Sequence, residues 1–297
     1  MNRITGFILL VTATALWGGN FVIGRGFVDT LPPFALALFR WIVAFFVLLP
    51  FGFKELKNNR SLWKKHRIAI FFMALTGIAM FNTLVYIAVH YTTSINASLI
   101  NSSTPIMIMI LSFLFLREKL SWQQISGIVL SLIGVLWIIS RGNLSTIVSF
   151  SFHKGELWML FAVATWAIYS ILIKKYGGIF PQYGSFLLTI IIGIILLVPF
   201  AGYEYMGAAT YTLNWFSILG VLYIGIFASI VAFLCWNKAV IHIGPGKAAP
   251  FLNLIPVFAT IFAVLFLHEK LILAQVIGGT LVILGVILSS FSRKTTN

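Results

Sequence analysis

Residues 105–135 read PIMIMILSFLFLREKLSWQQISGIVLSLIGV, and residues 256–286 read PVFATIFAVLFLHEKLILAQVIGGTLVILGV. The two stretches align without a gap at an offset of 151 residues and share 13 of 31 positions. Earlier in each half the offset is 149, and it places Trp17 on Trp166, Arg25 on Lys174, Pro32 on Pro181 and Pro50 on Pro199. The second half of the chain therefore repeats the first. Duplicated halves in an apolar chain are typical of transporters that move one half against the other.

The composition is that of a membrane protein. Hydrophobic residues make up 60% of the chain and charged residues 9%, whereas a soluble domain carries about 25% charged residues. The single cysteine, Cys235, excludes a disulfide framework and a cysteine-based metal site. The net charge of +14 is spread over several loops, so we expect the lipid bilayer, and no nucleic acid, as the surroundings of this chain.

Ten apolar segments are long enough to cross a bilayer, which takes about 20 residues in a helix. Backbone groups in lipid must be satisfied within the segment, which favours helices, and barrel strands would not give such continuous apolar runs. We number the segments span 1 to span 10: 4–23, 34–53, 68–90, 96–116, 122–140, 155–174, 183–202, 215–237, 248–267 and 272–291. The predicted fold class is an all-α polytopic membrane protein with five helices in a first repeat (1–140), an external linker (141–154) and five helices in a second repeat (155–297).

The distribution of Lys and Arg predicts the orientation, because these residues accumulate on the cytoplasmic side. With the N-terminus inside, 15 of them fall on the inner side and 4 on the outer side. Both termini are therefore predicted to be cytoplasmic, with the protein in the plasma or inner membrane. Since each half has five spans, the halves are predicted to be inverted around a site near the midplane. A signal peptide ending near Ala13-Thr14-Ala15 is an alternative, but the counterpart of this segment at 155–174 favours a retained helix.

Three features of the sequence are similar to a known family. They are the stretch Ala15-Leu16-Trp17-Gly18-Gly19-Asn20-Phe21, the pair Arg40-Trp41, and the Pro…Glu-Lys-Leu…Gln…Gly…Gly-Val pattern of each half. On these residues the chain resembles the EamA branch of the drug/metabolite transporter superfamily over nearly its whole length. The resemblance implies ten helices, export or uptake of a small organic solute such as an amino acid or a related metabolite, and no bound cofactor. The second half has Thr189 in place of Arg40, so the role of Arg40 is not duplicated.

Two pairs of side chains are predicted to line a central cavity. Trp17 and Asn20 are three residues apart on span 1, and Trp166 and Tyr169 repeat this spacing on span 6, so each pair shares a helix face. Aromatic walls with a few polar groups suit a small, partly apolar solute. The alternative is anchoring of the tryptophans at the membrane interface, or ordinary packing.

Further polar residues lie at membrane depth, where unmet donors and acceptors are costly. Each is predicted either to contact the solute or to form a hydrogen bond between helices. They are Asn82 and Tyr86 on span 3, Asn101 and Thr104 on span 4, and Asn253 on span 9.

Arg40 is the basic residue well inside a span, roughly 10 Å below its outer end at a rise of 1.5 Å per residue. We predict that it binds a carboxylate or phosphate of the solute. The alternatives are that its side chain extends to the outer surface, or that it pairs with Asp29.

Other repeated residues are predicted to shape the helices. Pro105 and Pro256 lie within spans 4 and 9 and are candidate hinges or static bends, where a neighbouring group must satisfy the freed carbonyl.

Glu118 and Glu269 precede spans 5 and 10, where a carboxylate near a helix N-terminus is stabilising, so we expect structural roles. Small residues allow close helix packing of spans 5 and 10, within one molecule or between copies; they are Gly127, Ser131 and Gly134, with Gly278 and Gly285 in the repeat.

The acidic residues restrict the energy source. All six lie at span ends or in loops, so a proton as coupling ion would need His90 or an end-lying acid. The sequence has no P-loop and no hydrolase signature. We therefore predict a carrier and not an enzyme. Broad-specificity drug efflux is the alternative within this class, and a channel or an intramembrane enzyme using Cys235 and His242 is the alternative outside it.

Overall fold

The computed structural model describes residues 3–116, 121–143, 153–207, 214–243 and 249–290, and every regular element in these ranges is helical. Span 1 is Arg3–Gly26, span 2 is Pro33–Asn58, span 5 is Trp122–Ile139, span 6 is Lys154–Tyr176, span 7 is Gln182–Met206 and span 10 is Leu273–Ser290. The other four consist of shorter pieces: Arg67–Met73, Ala74–Met80 and Phe81–Tyr91 (span 3), Ser94–Asn101 and Thr104–Leu116 (span 4), Trp215–Leu222, Tyr223–Val231 and Ala232–Ile243 (span 8), and Ala249–Asn253 and Leu254–Leu267 (span 9).

Length and composition agree with a membrane protein. Seven helices of the described chain are long and apolar enough to cross a bilayer. Three further apolar helices are shorter, Ile125–Ile138, Phe251–Leu267 and Leu273–Leu288, and they correspond to spans 5, 9 and 10. The predicted helical, polytopic fold class is confirmed.

The sequence did not predict the short helix Arg60–Lys65 between spans 2 and 3. Trp63 of this helix donates a hydrogen bond from Nε1 to the Leu56 carbonyl at the end of span 2 (2.8 Å).

The contacts between the halves follow one pattern twice. Span 1 packs against spans 8 and 9 of the second half, and span 6 packs against spans 3 and 4 of the first. Spans 2 and 7 pack on each other, as do spans 5 and 10. The centre of the molecule is therefore enclosed by spans 1, 3, 4, 6, 8 and 9, with polar residues of both halves within reach of one another.

Spans 2 and 7 each carry a glutamate near their end that caps the start of the other span. We call these two repeat-equivalent residues the reciprocal glutamate caps. Glu204, near the end of span 7, accepts hydrogen bonds from the backbone N–H groups of Phe34 and Ala35 at the start of span 2 (3.2 and 3.0 Å). Glu55, near the end of span 2, accepts one from Gly184 at the start of span 7 (2.7 Å). Each carboxylate satisfies free N–H groups and faces the positive end of a helix dipole. The two spans therefore run antiparallel, with the end of each at the start of the other.

Spans 5 and 10 pack within one molecule through backbone contact. A Cβ added to Gly134 would lie 2.7 Å from the carbonyl oxygen of Gly278, and one added to Gly285 would lie 2.6 Å from that of Gly127. Only residues without a side chain allow such an approach. The structure thus places these four glycines at the contact.

Pro105 follows a break in span 4, and Pro256 follows the change from a 3₁₀ to an α-helix in span 9. Pro105 is the second residue of Thr104–Leu116, and Pro256 is the third of Leu254–Leu267. In this first turn a missing N–H removes no helical hydrogen bond. The Asn101 carbonyl, which residue 105 would otherwise bond, accepts from the Thr104 hydroxyl (2.6 Å).

Glu269 has a structural role, but at a helix other than the expected one. Its carboxylate accepts from the backbone N–H groups of Ser94 and Ile95 (3.0 and 3.1 Å) and from the Ser94 hydroxyl (2.8 Å) at the start of span 4. At span 10 the backbone N–H of Ile272 donates to the side chain of Gln275 instead. Glu118, the repeat counterpart of Glu269, lies outside the described residues.

Candidate functional site

The guanidinium of Arg40 lies at the centre of the molecule. Arg40 is 1% exposed, and its side chain reaches inward from span 2. Its hydrogen bonds go to oxygen atoms of spans 1, 3 and 8: from Nε to Ser229 Oγ (2.6 Å), from Nη1 to Asn20 Oδ1 (3.0 Å), Asn82 Oδ1 (2.6 Å) and Tyr86 Oη (2.9 Å), and from Nη2 to the Ala228 carbonyl (3.3 Å). We call these five partners and Arg40 the Arg40 cluster. Tyr86 also donates to Asn20 Oδ1 (2.8 Å), which closes the network.

This position of Arg40 excludes both alternatives considered for it. The side chain does not extend to the surface, and its hydrogen bonds go to the cluster and not to Asp29. Every described hydrogen bond of the guanidinium goes to a neutral group. A buried positive charge held only by neutral dipoles favours the approach of an anion.

A wide helical turn in span 8 supplies two of these oxygen atoms. Within Tyr223–Val231 the backbone forms a π-helix, in which each N–H bonds to the carbonyl five residues earlier instead of four. This form is rare overall, but many of its examples lie at functional sites. Ser229 donates to the Ile224 carbonyl (2.7 Å) while it accepts from Arg40. The Ala228 carbonyl accepts from Arg40 and also from Trp17 Nε1 (3.0 Å). Span 3 has a second such segment, Ala74–Met80, on the opposite half.

The two repeat-equivalent tryptophans meet across the halves. The ring centroids of Trp17 and Trp166 are 6.1 Å apart, edge to face, and Phe233 contacts both rings (5.7 and 5.6 Å). Each tryptophan is 8% exposed, so neither is an anchor at the membrane interface. Aromatic pairs in this geometry add to the energy of apolar burial.

A small cavity lies between this aromatic wall and the Arg40 cluster. Its volume is about 30 Å³, which has room for about one or two water molecules. Its lining residues come from both halves: Trp17, Asn20, Phe21, Arg40, Phe81, Asn82, Val85, Asn101, Thr104, Trp166, Phe233, Leu252 and Ile255. This volume is smaller than that of an amino acid.

The structure brings most of the expected site residues to this cavity, but not all. Tyr86 is one layer behind the lining, where it bonds Arg40 and Asn20. Tyr169 packs on Trp166 with ring centroids 5.1 Å apart and does not line the cavity. Asn253 does not line the cavity either, although its neighbour Leu252 does, and its buried Oδ1 has no hydrogen-bond partner among the described residues.

Sequence reasoning missed Ser229 and the Ala228 carbonyl. A serine in an apolar span usually donates its hydrogen bond to a carbonyl of its own helix. A backbone carbonyl is present at every residue, so the sequence cannot indicate which one takes part in a site. Asn20, Arg40 and Asn82 could be predicted from the sequence, because amides and charges are costly at membrane depth.

A second, larger cavity opens at the end of the bundle that is predicted to face outside. It has a volume of about 380 Å³ and is lined by Arg25, Val28, Asp29, His90, Thr93, Leu267 and Glu269. Arg25 is held there by a hydrogen bond from Nη1 to the Val89 carbonyl (2.7 Å). Both charge signs occur on this surface.

Comparison with known proteins gives concordant matches. The model of the EamA-like transporter family matches residues 4–140 and again 153–291. A protein of Bacillus subtilis (strain 168), named uncharacterized transporter YyaM, is 27% identical over 292 residues, which cover 98% of this chain and 95% of that protein. An uncharacterized transporter of Archaeoglobus fulgidus is 28% identical over 296 residues, covering 98% of each. A solved crystal structure superposes with a TM-score of 0.65 at 18% identity, over 97% of this chain and 96% of the other, and shows the same fold.

Proposed function

Because this chain belongs to the EamA-like transporter family, we propose that it exports a small organic solute, an amino acid or a related metabolite, across the cell membrane. Its relatives are named transporters, and its helices are those of a multi-pass membrane protein. Both termini lie in the cytoplasm in this proposal. The Arg40 cluster and the Trp17–Trp166 wall form the solute site, and the solute and the bilayer are the partners of the protein.

The observation that carries this proposal is the unpaired charge of Arg40 beside an aromatic wall. A guanidinium presents a planar fork that suits a carboxylate. Asn20 and Asn82 now occupy its Nη1 side, and Nη2 makes one long bond to Ala228 (3.3 Å). A solute carboxylate would replace these neutral contacts with a charge-assisted pair. The apolar part of the solute would then lie against Trp17 and Trp166.

Alternating access between inverted halves supplies the movement. The cavity is too small for the solute, while its lining is divided between the two halves. The reciprocal glutamate caps join the halves at both ends of spans 2 and 7. In our proposal the halves rock about this antiparallel contact and open the cavity to one face at a time. The helix break before Pro105 and the 3₁₀-to-α junction before Pro256 are the hinges.

Counterflow in proteoliposomes tests the function. Vesicles loaded with each unlabelled amino acid in turn receive the same amino acid in labelled form outside, and saturable accumulation is expected for at least one. The rate for that solute should fall at least tenfold in Arg40→Gln, since a hydrogen bond to a charged group is worth about 1.5–3 kcal/mol. The matched control Arg60→Gln changes an exposed arginine and should retain the rate. Equal rates in Arg40→Gln and wild type would refute the carboxylate contact.

The alternatives give other outcomes in the same vesicles. Broad drug efflux would show transport of unrelated lipophilic cations, which the buried positive charge of Arg40 disfavours. A channel would give flux that does not saturate and no counterflow. An intramembrane enzyme using Cys235 would convert its substrate, and Cys235→Ala would abolish that turnover.

A further inference from the structure

Glu156 is a buried acid that the solute site does not use. It lies in the first turn of span 6 and is 0% exposed. Its Oε1 accepts hydrogen bonds from Asn96 Nδ2 (3.0 Å) and Thr92 Oγ1 (3.4 Å), both at the junction of spans 3 and 4. Asn96 Nδ2 also donates to Thr92 Oγ1 (3.0 Å), so both donors are fixed.

The two oxygens of this carboxyl have different surroundings. Oε1 has two donors, whereas Oε2 is buried and has no hydrogen-bond partner within the described ranges. An ionised carboxylate would leave half of a negative charge unsatisfied at Oε2, which is far more costly than an unsatisfied neutral hydroxyl. A protonated acid fits both environments, with Oε1 as the accepting carbonyl and Oε2 as the O–H.

A metal ion fits this site less well than a proton. Hard cations take six or more oxygen ligands, and the oxygens here are those of Glu156 and Thr92. Asn96 turns its NH₂ group toward Glu156, which is the orientation that a carboxyl needs and a cation does not. No cluster of metal-binding side chains occurs among the residues that the structure describes.

Because Glu156 lies where the two halves meet, its protonation state depends on whether the halves are packed together. Span 6 belongs to the second half, and Thr92 and Asn96 belong to the first. Gly155 brings the two backbones together, since a Cβ there would lie 2.9 Å from the Ala88 carbonyl. When the halves separate at this end, Glu156 loses both donors and meets water, which favours the ionised form.

We propose that Glu156 is the proton-binding site of this carrier, with the proton on Oε2 when span 6 packs on the span 3–4 junction. Binding forms one O–H bond with a proton taken from water on the face to which the site is open. Release breaks the same bond and returns the proton to the water that enters when the halves separate at this end. This inference rests on the proposed transport function and adds its pH dependence, because protonation of Glu156 favours the packed state of this end.

The charged groups near Glu156 are few. His153 and Lys154 precede it on its own element, and Arg141 faces it from the end of span 5. The helix Ser94–Asn101 of span 4 carries no charged side chain. His90, at the end of span 3, has its ring bonded to the Tyr86 carbonyl (2.7 Å) and lines the outer cavity.

Infrared spectroscopy on the purified full chain tests the site without a solute. Only six acidic residues are present, so a carbonyl stretch of a protonated carboxyl near neutral pH can be assigned. We expect this band in wild type, a shift of the band on labelling glutamate with ¹³C, and loss of the band in Glu156→Gln. The matched control is Glu204→Gln, whose carboxylate has a donor on each oxygen, and this variant should retain the band.

Three infrared results would overturn the proposal. They are absence of the band in wild type, a band that does not shift with labelled glutamate, and a band that persists in Glu156→Gln. Replacement of the band by a carboxylate signal on adding Na⁺ at constant pH would identify a sodium site instead. The spectra of wild type with ¹³C-labelled glutamate test the proposal even if Glu156→Gln does not fold.

The transport arm uses the labelled amino acids of the counterflow screen as probes. Lowering the pH at the face to which this end opens by about one unit should slow counterflow in wild type by up to about tenfold, because protonated Glu156 favours the packed state. Glu156→Gln, which is neutral at every pH, should lose this dependence. A wild-type pH dependence in this variant would contradict the proton site. If no probe shows counterflow in wild type, the transport proposal fails, and the infrared result on Glu156 still stands.

Discussion

The two halves of the molecule differ in chemistry at Arg40. Its repeat counterpart, Thr189, is buried and donates to the Phe186 carbonyl of its own helix (2.8 Å). The Arg40 cluster is therefore one-sided, although the helices around it are arranged in pairs. A site with one cation can orient a solute, because only one end of the solute carries the carboxylate.

Arg40→Lys tests whether the planar fork matters as well as the charge. Lysine keeps the positive charge but loses the guanidinium geometry that reaches Ser229, Asn20 and Asn82 together. We expect the KM for counterflow to rise at least tenfold, with a smaller change in maximal rate. Arg60→Lys, at an exposed position, is the matched control. An unchanged KM in Arg40→Lys would show that charge alone suffices.

The tryptophan wall permits a similar test. Trp17→Phe keeps an aromatic ring but removes the Nε1 bond to the Ala228 carbonyl, a loss of about 0.5–1.5 kcal/mol. Trp166→Phe changes the opposite wall. Both variants should fold and show several-fold slower counterflow, whereas Trp122→Phe, exposed to 83%, should match wild type. Wild-type rates in both cavity variants would contradict a solute contact at this wall.

At the scale of the helices, the sequence predicted the spans because bilayer thickness fixes the length of an apolar run. It did not predict where spans 3 and 8 change their helical winding, since Ala74–Met80 and Tyr223–Val231 are as apolar as their neighbours. Glu269 shows a second limit. A local pattern indicated a cap for the next helix, but the carboxylate caps span 4, 175 residues away. Contacts of this range depend on the fold and not on local sequence.

The site was predictable to the extent that its residues are costly in lipid. Asn20, Arg40 and Asn82 could be found on this ground, and the structure places them together. Asn253 satisfied the same criterion but does not line the cavity, because the rotation of a helix cannot be predicted from one polar residue. Glu156 sits at the end of a span, where an acid is ordinarily solvated, so burial by the other half was not foreseeable.

The glycine contact of spans 5 and 10 predicts a strong difference between two Gly→Ala changes. In Gly134→Ala the new Cβ would meet the Gly278 carbonyl and the Val282 nitrogen at 2.7 and 2.8 Å, so the helices must separate. We expect a loss of about 1–3 kcal/mol in stability, measured as a lower Tm in detergent. Gly202→Ala, also inside a helix, would meet nothing within 4 Å, and its Tm should be equal or higher. Equal Tm values for the two variants would show that the contact does not stabilise the bundle.

At the scale of the molecule, the paired contacts point to one symmetry. Span 1 meets spans 8 and 9 as span 6 meets spans 3 and 4. The reciprocal glutamate caps lie at equivalent positions, since Glu55 and Glu204 are separated by the repeat offset of 149. In an inverted arrangement, equivalent ends of the two halves face opposite sides of the membrane. Access to the shared cavity from either side depends on this property.

Labelling of Lys57→Cys and Met206→Cys tests this central claim most directly. The two positions are repeat equivalents, 149 residues apart, and both are exposed at the ends of their helices. Each is introduced into a Cys235→Ser background and treated in sealed cells with a membrane-impermeant thiol reagent. We predict that Met206→Cys reacts from outside and Lys57→Cys reacts only after lysis. Reaction of both from the same side would contradict inverted halves and the carrier mechanism built on them.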